Sequence, residues 1–386
     1  MAKSGFKVLD SDMHIMEPPD LWQRFTDEEY RDRAPMGVVS QNVRDLRTVH
    51  PDGTPWGALS RGVMQSPTGP SGPRGRNFDR NQETYADHAS RGWAPDCQVE
   101  AMDIEGIDTA ILFPTRGLHT LAEPNMDPAL ARSLARAYND WLAGFCSYAP
   151  ERLIGAAMIS PFDMTDAVQE VERAVTELGL RAIFIRSNLM NDKPWHDHYY
   201  DPLWDALEKH DIPIGFHEAT TSGARQAGEQ FAPNFMLQRV YAQPFEQMMA
   251  LGSFTGGGVL ERHPALRAAF LEANCSWLPW LLWRLDEGYE READAYSPEL
   301  KMAPSEYFHR QVWVSVEPDE LPALDAISRY GSDKLVFSTD YPHGDSKYPL
   351  AVESFLQLPL PDDDKRKILW DNCAAFYKVQ NQVRAI

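Results

Sequence analysis

From about Pro95 onward the chain repeats one unit: a short, almost wholly apolar run, then a longer segment with apolar residues at helical spacing. The runs lie at Asp108–Pro114, Leu153–Ile159, Arg181–Ile185, Ile212–Phe216, Leu266–Leu271, Gln311–Val316 and Lys334–Ser338. The segments between them carry helical patterns. Leu130, Leu134, Tyr138, Trp141 and Leu142 mark Pro128–Tyr148, and Val168, Val171 and Val175 mark Met164–Leu178. Helices are likewise expected at Cys97–Glu105, Tyr200–His210, Asn234–Arg262, Trp277–Ala293, Glu320–Tyr330 and Asp363–Val379. Strands without polar alternation are buried on both faces, as in a parallel sheet. With an opening strand around Val8–His14, the count reaches eight β/α units. That count in this length fits an α/β fold of the (β/α)8 TIM-barrel type better than an open doubly wound sheet. No glycine-rich phosphate motif follows any of the strands, which argues against dinucleotide and nucleoside-triphosphate sites.

The whole chain, residues 1–386, reads as one barrel domain with a long insertion after the first strand, at about residues 36–94. Within it, Pro51–Arg80 is rich in Gly, Pro, Ser and Arg and lacks periodicity, which predicts a mobile segment or a lid over the barrel mouth. The basic run at Arg74 and Arg76 is too short to be a nucleic-acid tail, and 57 acidic against 37 basic residues repel phosphate backbones. Cys97, Cys146, Cys275 and Cys373 are scattered and form no metal or disulfide motif. No apolar run is long enough to span a bilayer, and the first residues lack a signal-peptide pattern. The expectation is a cytoplasmic protein with reduced cysteines.

In a barrel of this type the site gathers at the C-terminal strand ends. Four of the expected strands end in metal-binding side chains. The first gives Asp12 and His14, the fifth His217, the sixth Glu272 and the eighth Asp340. His343, three residues after Asp340, either ligates a metal or orients Asp340. Imidazoles mixed with carboxylates suit Zn, Fe or Mn better than Mg or Ca, with one or two ions per chain. Arg116 and Arg186 follow the second and fourth strands, where a guanidinium can clamp a substrate carboxylate. Glu17 reads as a loop anchor or a partner behind a ligand rather than a ligand itself, His263 as a helix C-terminal residue, and Trp277, Trp280 and Trp283 as a packing face or subunit contact.

Asp12-Met-His14, Gly106-Ile-Asp-Thr-Ala-Ile-Leu112, His217 and Ser338-Thr-Asp-Tyr-Pro-His343 together resemble the amidohydrolase superfamily. The nearest branch is the aminocarboxymuconate-semialdehyde decarboxylase-like, or amidohydrolase 2, group. The resemblance covers nearly the whole chain from Val8 to Tyr377, apart from the insertion. It implies that Asp12, His14, His217 and Asp340 bind the metal and that Asp340 also handles a proton. Two positions depart from many members: Asp12 replaces a first histidine, and Glu272 stands near a usual histidine of strand six. Strand four ends in Arg186-Ser187-Asn188 without a lysine, so Glu272 is the bridging candidate if two metals bind. The activity expected is hydrolysis or non-oxidative decarboxylation of a small organic acid, with catalysis by Asp340, His217 and Glu272. The alternatives are a dinuclear iron-type hydroxylase similar to 2-aminoisobutyrate hydroxylase, or a partner subunit of such an enzyme. The protein is expected to be a homo-oligomer, or to pair with a homologous chain.

Overall fold

The computed structural model describes residues 3–39, 43–44, 46–57, 78–123, 125–220, 225–232, 234–344 and 346–379. Among these, eight strands form one parallel sheet in chain order. They are β1 (Leu9–Ile15), β2 (Thr109–Pro114), β3 (Leu153–Met158), β4 (Ala182–Arg186), β5 (Ile214–His217), β6 (Ala268–Leu271), β7 (Val312–Val316) and β8 (Leu335–Phe337). Every residue in them is buried, as the near-continuous apolar patterns of β2 to β8 require, and in β1 the buried residues include Asp10, Ser11, Asp12 and His14. The larger helices are α1 (Pro95–Glu105), α2 (Pro128–Cys146), α3 (Met164–Thr176), α4 (Asp201–His210), α5 (Phe235–Thr255), α6 (Leu278–Tyr296), α7 (Pro304–Gln311) and α8 (Ala323–Tyr330). The result is the (β/α)8 barrel expected from the sequence.

Local chemistry sets the helix starts. Asp127 accepts the Ala129 amide ahead of Pro128, Asp163 accepts those of Thr165 and Asp166, and Asn234 accepts that of Leu237. The helix expected across 234–262 divides at Gly256-Gly-Gly258, because Gly258 takes a left-handed φ of 81°. The segment expected as a closing helix begins at Asp362 and passes through a π turn at Lys367–Asp371. Helix α7 and the short helix Ala351–Leu356 were not foreseen.

The insertion contributes a two-stranded pair, Met36–Gly37 with Thr48–Val49, and helices Phe78–Thr84 and Ala86–Ser90. Most of the expected lid, residues 58–77, lies outside the described residues, as does the basic run within it. Tyr85 joins the insertion to the barrel mouth. Its ring stacks on Tyr348 at 5.7 Å and meets Tyr341 edge-on at 5.8 Å.

Two features of the strands position the site. The pairing of β1 with β2 slips between Asp10 and Met13, a bulge that re-aims the side chains following it. The seam between β1 and β8 is tied by main-chain bonds beyond the end of β8. Asp340 N–H donates to Asp12 O at 3.2 Å, and His14 N–H donates to Tyr341 O at 2.6 Å. Closure of the barrel therefore sets residues 12–14 beside residues 340–343. Below them Phe113 fills the interior against Phe184 and beneath His217, with ring centroids 6.2 and 5.9 Å away. Gly215 leaves room for that ring, since a Cβ there would lie 2.7 Å from Phe113 Cζ.

Candidate metal centre

Asp12, His14, His217, Glu272, Asp340 and His343 converge at the C-terminal mouth of the barrel, and all six are buried. The two central histidines share one arrangement. His14 Nδ1 lies 2.6 Å from Pro114 O, and His217 Nδ1 lies 2.7 Å from Glu218 O. A carbonyl only accepts, so each Nδ1 carries its proton and each neutral ring presents the Nε2 lone pair to the centre. The two Nε2 atoms stand 3.0 Å apart. Two lone pairs at that separation repel unless a cation lies between them.

Carboxylates complete the ring. Asp12 Oδ1 is 3.4 Å from His14 Nε2, and its Oδ2 is 3.5 Å from His217 Nε2. Both oxygens are buried and accept no hydrogen bond from the described residues. Asp340 Oδ1 lies 3.4 Å from His14 Nε2, and Glu272 Oε2 lies 2.9 Å from His217 Nε2. Donors held about 2.1 Å from a shared ion are themselves about 3.0–3.4 Å apart, and this set has that spacing. Burying these carboxylates without a counter-charge is costly. The donor set therefore fits a divalent metal, held by Asp12, His14, His217 and Asp340 with Glu272 at the edge. With a proton in that place instead, burial lowers the affinity of His217 for it, but Asp12 and Glu272 outweigh burial and raise its pKa to about 10. His14 goes the other way: burial, then His343 and His217, hold its pKa well below the usual imidazole range.

Two of the carboxylates stand on strained backbone. Glu272 has φ 50° and Asp340 φ 55°, a left-handed conformation that costs a side-chain-bearing residue about 1–2 kcal/mol. Each lies just past its strand end, and the left-handed turn aims its carboxylate at the centre. Glu272 is fixed further by its own N–H to Ser315 Oγ at 3.0 Å. From α5, Gln243 Nε2 and Arg239 Nη2 reach its Oε1 at 2.7 and 3.3 Å.

The remaining sequence candidates take definite places. His343 stacks on His14 at 4.0 Å between centroids, places Nδ1 2.6 Å from Asp340 Oδ1, and meets Thr115 Oγ1 through Nε2 at 3.1 Å. Arg116 donates to Glu17 O, and Arg186 donates to Leu118 O, Ala219 O and Asn188 Oδ1. Both guanidinium groups are thus engaged in bracing the loops around the mouth. Burial lowers the pKa of Arg186 to about 10 and raises that of Glu218 to about 7, each against the pull of the other. Three residues near the mouth were passed over in the sequence. Asp10 accepts the amides of Asp12 and Thr339 and the Thr339 hydroxyl, bracing the loops of two metal-site acids. His119 is pushed down to about 3 by burial, then by Arg186 and His343. Arg239 lies on α5, far along the chain from the strand ends that give the main signal.

Glu17 is the loop anchor expected of it. Its carboxylate accepts the buried amides of Thr115, Arg116 and Gly117 at 3.1, 2.8 and 2.9 Å. Glu17→Ala leaves those three donors unsatisfied, at about 1–3 kcal/mol each before the loop relaxes. The expected loss is about 3 kcal/mol in urea unfolding, with Glu17→Gln, which keeps an acceptor oxygen, losing less. Equal stability of Glu17→Ala and wild type would remove the anchor role.

A family model, "Amidohydrolase", matches residues 10–379. The chain belongs to that family. Among curated proteins it is 26% identical over 294 residues to a gamma-resorcylate decarboxylase from Polaromonas, covering 74% of this chain and 87% of that one. It is 28% identical over 255 residues to a 2-amino-3-carboxymuconate-6-semialdehyde decarboxylase from Dictyostelium discoideum, covering 66% and 68%. A crystal structure of 5-carboxyvanillate decarboxylase from Novosphingobium aromaticivorans, complexed with manganese and 4-hydroxy-3-methoxy-5-nitrobenzoic acid, shares the fold. Its TM-score is 0.65 at 21% identity, covering 97% of this chain and 96% of that one. This amidohydrolase is a metal-dependent enzyme of the hydrolase or non-oxidative decarboxylase kind, acting on a small organic acid. The relatives do not favour the dinuclear hydroxylase alternative. No helix among the described residues is long and apolar enough to cross a membrane.

Proposed function

We propose that this amidohydrolase catalyses non-oxidative decarboxylation of a small hydroxylated aromatic acid, with manganese as its metal. The observation that carries the reading is the place of Asp340 Oδ1, 2.6 Å from His343 Nδ1 and 3.4 Å from His14 Nε2, an acid set between the metal cage and a further imidazole. Decarboxylation breaks the ring–carboxylate bond and leaves its electron pair on the ring carbon, which must take a proton. Asp340 delivers that proton as general acid, and His343 returns one to Asp340 from the side of Thr115. When bound, the metal supplies Lewis acidity toward the substrate's oxygen atoms. Asp12, His14, His217 and Asp340 would hold it, with Glu272 at the edge.

Arg239 is the guanidinium best placed to meet the substrate's carboxylate. Its side chain is 31% exposed and its Nη2 lies 3.3 Å from Glu272. Arg239→Ala is expected to raise KM about 10–100-fold with a smaller change in kcat, as for loss of a charge-assisted contact made in ground and transition states alike. Steady-state kinetics check this, and an unchanged KM removes Arg239 from substrate binding.

Exposed apolar residues support assembly with a second copy. Trp280 and Trp283 on α6 are 57% and 50% exposed, and Met236, Val240, Phe245 and Met249 line an outer stretch of α5. Light scattering that finds only monomer at working concentration would end that part of the reading.

The activity is tested with manganese-loaded protein and gamma-resorcylate or 5-carboxyvanillate in D2O. Carbon dioxide release with one deuterium at the vacated ring carbon is expected. Oxygen consumption with ring hydroxylation, or no turnover of any hydroxybenzoate carboxylate, would overturn the proposal.

A further inference from the structure

The end of the barrel opposite the metal centre carries a second cluster of metal-binding groups. Helix α4 presents Asp205 and Glu208, three residues apart and so on one face. His263 faces them from the turn that ends the short helix Val259–Arg262. Its side chain is only 4% exposed. The His263 Nδ1 atom lies 3.2 Å from Asp205 Oδ1 and 3.6 Å from Glu208 Oε2.

Neighbouring groups determine which ring nitrogen is open. His263 Nε2 lies 3.3 Å from Asp201 Oδ1, and a carboxylate fixes the ring proton on that side. Asp201 is itself held by Arg262 through Nε and Nη2 at 3.2 and 3.0 Å, and by His198 Nδ1 at 2.6 Å. Its own ligands thus tie it to one side of the ring. The lone pair of neutral His263 then rests on Nδ1. That atom is buried and makes no hydrogen bond among the described residues, although two carboxylate oxygens are near. Neither oxygen lies where a ring N–H would reach it. Glu208 is also locked in orientation, because its Oε1 accepts the amides of Ala265 and Leu266 at 2.6 and 3.1 Å. Its Oε2 is left turned toward His263.

A buried lone pair with carboxylate oxygens 3.2 and 3.6 Å away, and a hydrogen bond to neither, is poorly served by a proton. A metal ion accepts ligands from both sides of that axis. We propose that His263 Nδ1, Asp205 Oδ1 and Glu208 Oε2 form a second site for a divalent transition metal, separate from the catalytic centre. One imidazole nitrogen and two carboxylate oxygens suit zinc, with water completing the shell on the side of Asp205, whose side chain is 72% exposed. The ion ties α4, which leads into β5, to the turn that leads into β6. Its role is to clamp the base of the barrel beneath the strands that carry His217 and Glu272.

The test measures zinc binding to chelator-treated protein by calorimetry and elemental analysis, beside Asp205→Asn, Glu208→Gln and His263→Gln variants. Asp205 is exposed, so Asp205→Asn keeps the fold and serves if a variant at His263 does not. Wild type is expected to hold one more zinc per chain than His263→Gln. Asp205→Asn should bind that ion at least about 10-fold more weakly while manganese-supported turnover stays at the wild-type level. Zinc should raise the melting temperature of His217→Ala, in which the mouth is disabled, but not that of the His217→Ala/Asp205→Asn double variant. Equal zinc stoichiometry and affinity in wild type and Asp205→Asn would overturn the proposal, as would no zinc bound by His217→Ala. Both readouts are independent of whether the mouth decarboxylates anything.

Discussion

Replacement of His217 by alanine is expected to empty the catalytic centre. His217 Nε2 is the atom about which His14, Asp12 and Glu272 are grouped, at 3.0, 3.5 and 2.9 Å. Its removal takes a ligand away and leaves two buried carboxylates without the ring between them. Loss of a hydrogen-bonding partner behind a ligand costs about 10–100-fold in metal affinity, and loss of the ligand itself should exceed the upper figure. Elemental analysis after dialysis should find the mouth's metal in wild type and almost none in the variant, with turnover lost in parallel. His14→Ala should behave alike, since its ring is oriented in the same way by Pro114. Glu272→Gln separates one ion from two. If a second metal bridges there, it is lost before the first, whereas a single retained manganese assigns Glu272 to positioning His217. Full metal content in both histidine variants would refute the site assignment.

Asp340→Asn should part binding from chemistry. Asparagine keeps the shape and an oxygen directed at the centre, but it cannot give up a proton. Turnover is expected to fall about 100- to 10,000-fold, the usual contribution of a positioned general acid. Metal content should fall far less, because Asp12, His14 and His217 remain. The left-handed φ of 55° at this position is one that asparagine tolerates, so folding should survive. Deuterium incorporation supplies a second readout: the variant should exchange the ring carbon's proton as slowly as it decarboxylates. A variant with wild-type turnover would move the proton to another group, with His343 the next to test.

The sequence by itself determined the barrel. Strands such as Ile111-Leu112-Phe113 and Val312-Trp313-Val314 are apolar because both their faces are covered, and that pattern is local enough to read from neighbouring residues. Strand order followed from the regular alternation with helices. The acids and histidines at the strand ends were also legible, because a parallel barrel turns a position along the chain into a position in space. Only the tertiary structure decided how they meet. Asp12 and Asp340 are brought together by the β1–β8 seam, between segments more than 300 residues apart. The aim of Glu272 and Asp340 depends on left-handed backbone, which residue type alone does not announce. Arg116 and Arg186 carry the charge of a carboxylate clamp, yet the loops around them spend their donors on backbone carbonyls. Residue type fixes what a group can bind. The packed neighbours decide what it binds, because burial makes every unpaired donor and acceptor costly.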